Sequence, residues 1–505
     1  MKINKLFKNT LIIIITGLIV KIIGMIGKII TTRTMGLEGM SKYALSYPTL
    51  LLFINISGFS MNNTISKLVS EAMASKKYSP KILLKKGIKT TSLISIICMI
   101  IYLCSINFIS THLLKDNELF IPLLMGTFLI PLVGISDALR GYLNGIKAVK
   151  LASTSLFLEQ LTRTIFSLIG IFIGLKINII IATSFLYLAL SIGEIASIIF
   201  CLINIRNSKL IHYPNTQGEQ KIINKTASYL TISKIIGSIS YFLEPILYTN
   251  ILIYLNYSKE IIHNTYTTID IYIVPLLTII SFIPFSLSTA IIPHISEAYA
   301  KNNTNTLNYY LNKAYEFTLF PALLCLISIH FYSKDFMELL FKTTLGSTLA
   351  KKVSLIFIFY YLQIISSSIL QAIGQVKIVL INSFISNISR LLLILVLPFF
   401  PTINTNSILY AVIISIIISA LYLTINVFNK TKLKLNLNDF VSISLLLIIT
   451  FFILELLVYF NLNFIISLLI VLIFNGLFFI KLFKKNNNGN WTSSLTITIY
   501  TFYYI

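Results

Sequence analysis

The chain is 505 residues long, 56% hydrophobic and only 11% charged. Soluble domains carry about 25% charged residues, so this composition excludes a water-driven globule and predicts an all-α polytopic membrane protein. A net charge of +23 would suggest nucleic acid in a soluble chain. Here most of the excess falls in short loops between apolar runs, where positive loops retained in the cytoplasm account for it, and no nucleic-acid partner is expected.

Lys2, Lys5 and Lys8 precede an apolar run as in a signal peptide, but no small-residue cleavage site follows and Lys21 interrupts the run. An uncleaved first helix is expected. Apolar segments of spanning length fall at 8–31, 43–66, 90–111, 119–143, 151–174, 177–204, 226–255, 267–293, 311–332, 353–373, 378–400, 404–428, 440–460 and 462–482, about fourteen helices.

Within the first helix, Gly17–Thr34 carries Lys21 and Lys28, almost two turns apart and so on one face, with Gly17, Gly24 and Thr31 on the same stripe. A charge near the bilayer centre costs about 2.5–3.5 kcal/mol and by default marks a substrate or ion pathway. Snorkelling to the nearer interface is the competing reading, and it suits Lys28 better than the deeper Lys21.

Loop charge tests the helix count independently. With the N-terminus inside, the loop after helix two holds Lys67, Lys76, Lys77, Lys81, Lys85, Lys86 and Lys89. Later inside loops hold Arg140, Lys147 and Lys150, then Arg206, Lys209, Lys221 and Lys225, and the tail adds Lys481, Lys484 and Lys485. Outside loops are poorer, except 333–352. The alternation predicts an even count with both termini cytoplasmic in the cell membrane.

An internal repeat is visible. Lys21-Ile22-Ile23-Gly24 recurs as Lys234-Ile235-Ile236-Gly237. Ser70-Glu71-Ala72-Met73-Ala74 recurs as Ser296-Glu297-Ala298-Tyr299-Ala300, and Gln160-Leu161-Thr162-Arg163 is echoed by Asn387-Ile388-Ser389-Arg390. An even number of helices separates the copies, so they are related by a pseudo-two-fold axis along the membrane normal. The expected architecture is a six-helix lobe over 1–205, a cytoplasmic linker over 206–224, a second six-helix lobe over 225–428, a terminal helix pair over 440–482 and a tail over 483–505. Substrate sites in such proteins lie at the repeat interface, where the Lys21 face and Lys234 would meet.

Glu159 and Arg163 stand four apart with the acid first, the order of a helical ion pair. Arg390 has no acid in its own turn and is a cavity candidate. Asp137 with Arg140, and Lys67 with Glu71, read as structural or gating contacts near the cytoplasmic face. Glu194, Glu244 before Pro245, and Asp270 at the opening of helix eight are candidates to carry a coupling proton or cation, although paired carboxylates are the plainer reading. Pro275, Pro284 and Pro293 predict a broken helix eight, and such breaks line a cavity or hinge. Gly36 and Gly39 punctuate the first outside loop, and Gly58 loosens helix two. The four cysteines lie in apolar segments without metal-ligand company and read as small hydrophobes. No histidine cluster suggests a metal site.

Several of these stretches form motifs: Gly36-Leu37-Glu38-Gly39-Met40 with Tyr43; Ile65-Ser66-Lys67-Leu68-Val69-Ser70-Glu71; Leu139-Arg140-Gly141-Tyr142-Leu143-Asn144-Gly145; Glu159-Gln160 with Arg163; and Ile292-Pro293-His294-Ile295-Ser296-Glu297-Ala298. Together they resemble the stage V sporulation protein B and polysaccharide biosynthesis flippase family, within the multidrug/oligosaccharidyl-lipid/polysaccharide exporter superfamily that includes lipid II flippases. The similarity runs over about residues 1–430. It implies two six-helix lobes in a V with alternating access, and a lipid-linked oligosaccharide as cargo, a peptidoglycan precursor on an undecaprenyl carrier. It also implies that Lys21, Lys28 and Arg33, with Lys234 in the second lobe, hold the pyrophosphate. Lysine stands here where relatives often have arginine, and it lacks the bidentate fork.

The first reading is therefore a flippase that uses Lys21, Lys28, Lys234 and Arg390 to attract the pyrophosphate. No Ser/His/Asp set or phosphate-cradling glycine loop is present, so neither enzyme activity nor a cofactor is expected. The alternatives are a cation-coupled multidrug exporter of the same superfamily, which would want an acidic cavity, and a membrane scaffold that recruits cell-wall synthases as partners.

Overall fold

The computed structural model describes residues 2–207, 213, 218–432 and 437–485, and all elements among them are helical. About half of the predicted linker and most of the predicted tail lie outside these residues. In chain order the α-helices are α1 (Lys2–Ser57), α2 (Met61–Ser75), α3 (Pro80–Phe108), α4 (Phe120–Gly126), α5 (Leu129–Gly145), α6 (Val149–Gly174), α7 (Ile179–Asn207), α8 (Glu219–Tyr254) and α9 (Lys259–Thr267). They continue with α10 (Val274–Leu277), α11 (Phe282–Ala300), α12 (Thr304–Phe341), α13 (Ser347–Val353), α14 (Ile358–Ala372), α15 (Val376–Val396), α16 (Ser407–Thr431), α17 (Leu437–Tyr459) and α18 (Phe464–Lys485).

Among the described residues, ten helices are long and apolar enough to cross a membrane, fewer than the fourteen expected. Expected helices one and two merge into α1, and expected helix eight is interrupted over 278–281.

The predicted first loop is reduced to one residue. α1 stays helical through Gly36 and Gly39 apart from Gly36 itself, at φ 63° and ψ −165°, a conformation that only glycine adopts without strain. Gly58, expected only to loosen helix two, breaks it: α1 stops at Ser57, Phe59 and Ser60 take positive φ, and α2 restarts at Met61. Helix eight starts earlier than predicted. Ser258 caps α9 by accepting from the Ile261 amide, eight residues ahead of the predicted opening at 267. The run then passes through a π-helical segment, Thr268–Ile273, into α10, breaks over 278–281, and resumes as α11 with Pro284 and Pro293 inside.

The buried side chains sort into separate cores. At the end that carries Lys67, one core joins Met61, Ile65, Leu139 and Ile205, and a second joins Ile295, Leu311, Ile369 and Leu423. At the end that carries Lys42, a single core runs across both halves of the chain, from Leu45 and Tyr102 to Tyr266, Met337 and Leu409. The halves are thus welded at the Lys42 end and have their own cores at the Lys67 end. α17 and α18 pack outside on α12 through Phe320, Tyr332, Leu446 and Val471.

Candidate functional site

The first half holds a buried charge cluster in its interior. Arg140 on α5 donates to Glu159 on α6 and to Ser136, and lies 3.4 Å from Asp137 and 3.5 Å from Glu194 on α7. Arg163 donates to Glu159 one turn away and reaches within 4.0 Å of Glu194. The Glu159–Arg163 pair read from spacing is present. It belongs to a larger set in which two guanidinium groups face three carboxylates, with Ser136 donating to Glu194 at 2.5 Å. Arg140 is the centre of this set rather than a contact at the helix end, because its side chain turns inward and is only 6% exposed.

Arg390 on α15 does not stand alone. It donates at 3.0 Å to Glu244 on α8, 146 residues away. By the repeat offset, Ser386 occupies the place of Glu159, so Arg390 has no acid in its own helix and takes one from α8. Glu244 directly precedes Pro245, which lies inside α8 without ending it. Asp270 sits on the π-helical segment, half-buried, within electrostatic reach of Lys28 and Arg390. Extra-residue π segments occur mostly at functional sites because they re-aim side chains.

The lysines follow two fates. Lys21, Lys28 and Lys234 all keep exposed side chains in helices that otherwise bury or face apolar matter. Lys28 faces Asp270, and Lys234 lies within electrostatic reach of Asp137 in the opposite half. Arg33 is not with them. It donates through Nε to the Leu340 carbonyl at 2.7 Å and through Nη2 to that of Leu339, capping the carbonyl end of α12 where a cation is favoured.

Arg33 belongs to a set of contacts that closes the Lys42 end and that spacing alone did not reveal. Lys42 binds Asp116 at 2.8 Å and Glu118 at 2.5 Å. His263 on α9 approaches Asp116 at 3.9 Å, and Asn250 on α8 donates to the Leu113 carbonyl at 2.8 Å. Nearer the centre, Asn55 on α1 donates to Ser238 on α8 at 2.7 Å. The partners lie 74 to 307 residues apart, too distant for any local pattern. Among the described residues no group of three His, Cys, Asp or Glu side chains could hold a metal ion.

Comparison with known proteins agrees with this architecture. A model described as polysaccharide biosynthesis protein matches residues 6–298, and one described as MatE matches 270–396. Stage V sporulation protein B of Bacillus subtilis (strain 168) is 27% identical over 423 residues, covering 82% of both chains. Lipid II flippase MurJ of the same organism is 24% identical over 454 residues, covering 83% of this chain and 82% of its own. Among solved structures, lipid II flippase MurJ in an inward closed conformation superposes with a TM-score of 0.65 at 20% identity, covering 94% of this chain and 100% of that one. An inward-facing multidrug resistance MATE family transporter of the MOP superfamily gives 0.63 at 12% identity, covering 81% and 95%. These two share the fold. The first family model covers more than half of the chain, and this protein belongs to the polysaccharide biosynthesis protein family.

Proposed function

We propose that this protein is a flippase that carries a lipid-linked oligosaccharide, an undecaprenyl-pyrophosphate peptidoglycan precursor for the spore cortex, across the cell membrane by alternating access. The observation that carries the reading is the division of cores: one shared core at the Lys42 end, separate cores at the Lys67 end, with exposed Lys28 and Lys234 each in electrostatic reach of a carboxylate of the other half. The lobes are 1–205 and 225–428, the Lys67 end is cytoplasmic, and both termini lie inside. The headgroup enters from the cytoplasm while the lipid tail stays in the bilayer. Lys21, Lys28 and Lys234 attract the pyrophosphate, and Arg33 acts instead at the closed end. The relatives' names support this cargo. No covalent bond is made or broken. The lobes rock, and Arg390–Glu244 together with the Arg140 cluster holds each lobe rigid as it moves.

The second reading, a cation-coupled multidrug exporter, is favoured by the MatE match over 270–396 and by the three carboxylates around two guanidinium groups in the first half. Asp270, Glu159 and Glu194 would then serve the coupling cation.

Lys21→Ala and Lys234→Ala should each abolish complementation of a flippase-depleted, spore-forming host while the protein stays in the membrane. The measurement is surface accessibility of lipid II in intact cells, with cortex thickness as the second readout. Normal cortex in both variants would overturn the reading, and altered drug resistance with normal lipid II accessibility would favour the exporter.

A further inference from the structure

Most of the large buried tyrosines in this fold give their hydroxyl a protein acceptor or partner. Tyr102 donates to the Leu123 carbonyl, Tyr248 to that of Thr405 and Tyr361 to that of Leu277, while Tyr187 pairs with Ser46 and Tyr315 with Ser366. Tyr43, Tyr47 and Tyr241 differ. Each is half-buried, and its hydroxyl makes no hydrogen bond to any described residue. Tyr43 and Tyr47 stand one turn apart on α1 with rings stacked at 5.1 Å and 22°, and Tyr241 on α8 lies within electrostatic reach of both. A buried ring with an unpaired hydroxyl is costly; a ring that lines a wet cavity is not.

Three charged groups face these rings, and one of them, Glu244 beside Tyr241, is already paired with Arg390. Arg163, from the first half, reaches Tyr43 and Tyr47. Asp270, from the second, reaches Tyr43 and Tyr241. Asp270 has no ion pair within 4 Å and no hydrogen bond among the described residues, although it is half-buried and sits on a π-helical segment. A carboxylate so placed retains its acceptor sites for a ligand.

We propose that Tyr43, Tyr47, Tyr241 and Asp270 form the sugar subsite of this cavity. A pyranose lays its C–H face on the stacked Tyr43–Tyr47 pair, and vicinal hydroxyls donate to the two oxygens of Asp270. The tyrosyl hydroxyls and Arg163 complete the ring of partners. Flat aromatic surface plus a few convergent polar groups is the general pattern of a small-molecule site. The presence of both charge signs, with Lys28 and Arg390 within electrostatic reach of Asp270 and Arg163 facing the stacked rings, suits a neutral polyhydroxyl ligand better than an organic cation, which two like charges would repel. This inference rests on the flippase reading and assigns the glycan, rather than the phosphate, to these residues.

The test uses the full chain in lipid nanodiscs and three probes: undecaprenyl pyrophosphate bearing the disaccharide-peptide headgroup, sugar-free undecaprenyl pyrophosphate, and tetraphenylphosphonium. Tyr43→Leu, Tyr47→Leu and Asp270→Asn should weaken binding of the glycosylated lipid by about tenfold and leave the sugar-free lipid unchanged. Tyr43→Phe keeps the ring and the fold, and should lose a smaller part of the glycan affinity. Equal loss for both lipids, or no loss for either, overturns the sugar subsite while leaving the flippase standing. Failure of the unaltered protein to bind either lipid overturns the flippase reading itself. Tetraphenylphosphonium binding that depends on Asp270, with glycan binding unaffected, assigns the residues to a cation and overturns the proposal.

Discussion

A methyl group placed on Gly24 would lie 3.2 Å from the amide nitrogen of Gln160. The repeated pair makes the same approach in the second half, where the nearest atom to a methyl on Gly237 is the Asn387 amide nitrogen at 4.0 Å. The third repeated motif agrees: Ser70 donates to the Gly145 carbonyl at 3.2 Å, and Ser296 to that of Ala372 at 2.7 Å. Motifs that echo one another along the chain therefore meet the same partners in space.

The glycine contacts predict an order of sensitivity. Gly24→Leu overpacks the crossing with α6 and should cost about 1–3 kcal/mol. Gly237→Leu, with its looser neighbour, should cost less. Gly141→Ala should rival Gly24→Leu despite adding one methyl, because that methyl would sit 2.6 Å from the Asn62 backbone oxygen, which cannot swing away as a side chain can. Thermal unfolding in detergent ranks the three.

The Arg390–Glu244 pair predicts non-additive behaviour. Removing one partner leaves a buried charge uncompensated, at about 3–5 kcal/mol for a fully buried pair. The 26% exposure of Arg390 puts this pair toward the lower figure. Glu244→Gln and Arg390→Gln should each destabilise the protein more than the double substitution does. A double-mutant cycle on thermal stability measures the coupling; additive losses would show that the two groups act separately.

The closed end predicts a change in accessibility. Lys42 is the counter-ion of both Asp116 and Glu118, so Lys42→Met leaves two neighbouring carboxylates without their shared cation. A cysteine introduced at Thr49, which is 1% exposed beneath this end, should then react faster with a membrane-impermeant maleimide added from outside. Unchanged labelling would mean that the apolar core alone holds this end shut.

The sequence by itself determined the class of protein, the position of most helices, the repeat, the broken eighth helix and the Glu159–Arg163 pair. Each of these rests on local physics: apolar length, proline and glycine chemistry, or the four-residue spacing that puts two side chains on one helix face. The tertiary structure decided who neutralises whom. Arg390 found Glu244 at a separation of 146 residues and Arg33 found the end of α12 at 307. Lys42 found Asp116 at a separation of 74, and His263 joined them only because the two halves close on each other. Nothing local marks Tyr47, and only the half-buried stacked pair with Arg163 facing both rings and Asp270 in reach of Tyr43 makes it a surface for a ligand. Burial makes a charge expensive and so forces it to a partner, but it does not say along the chain where that partner will be.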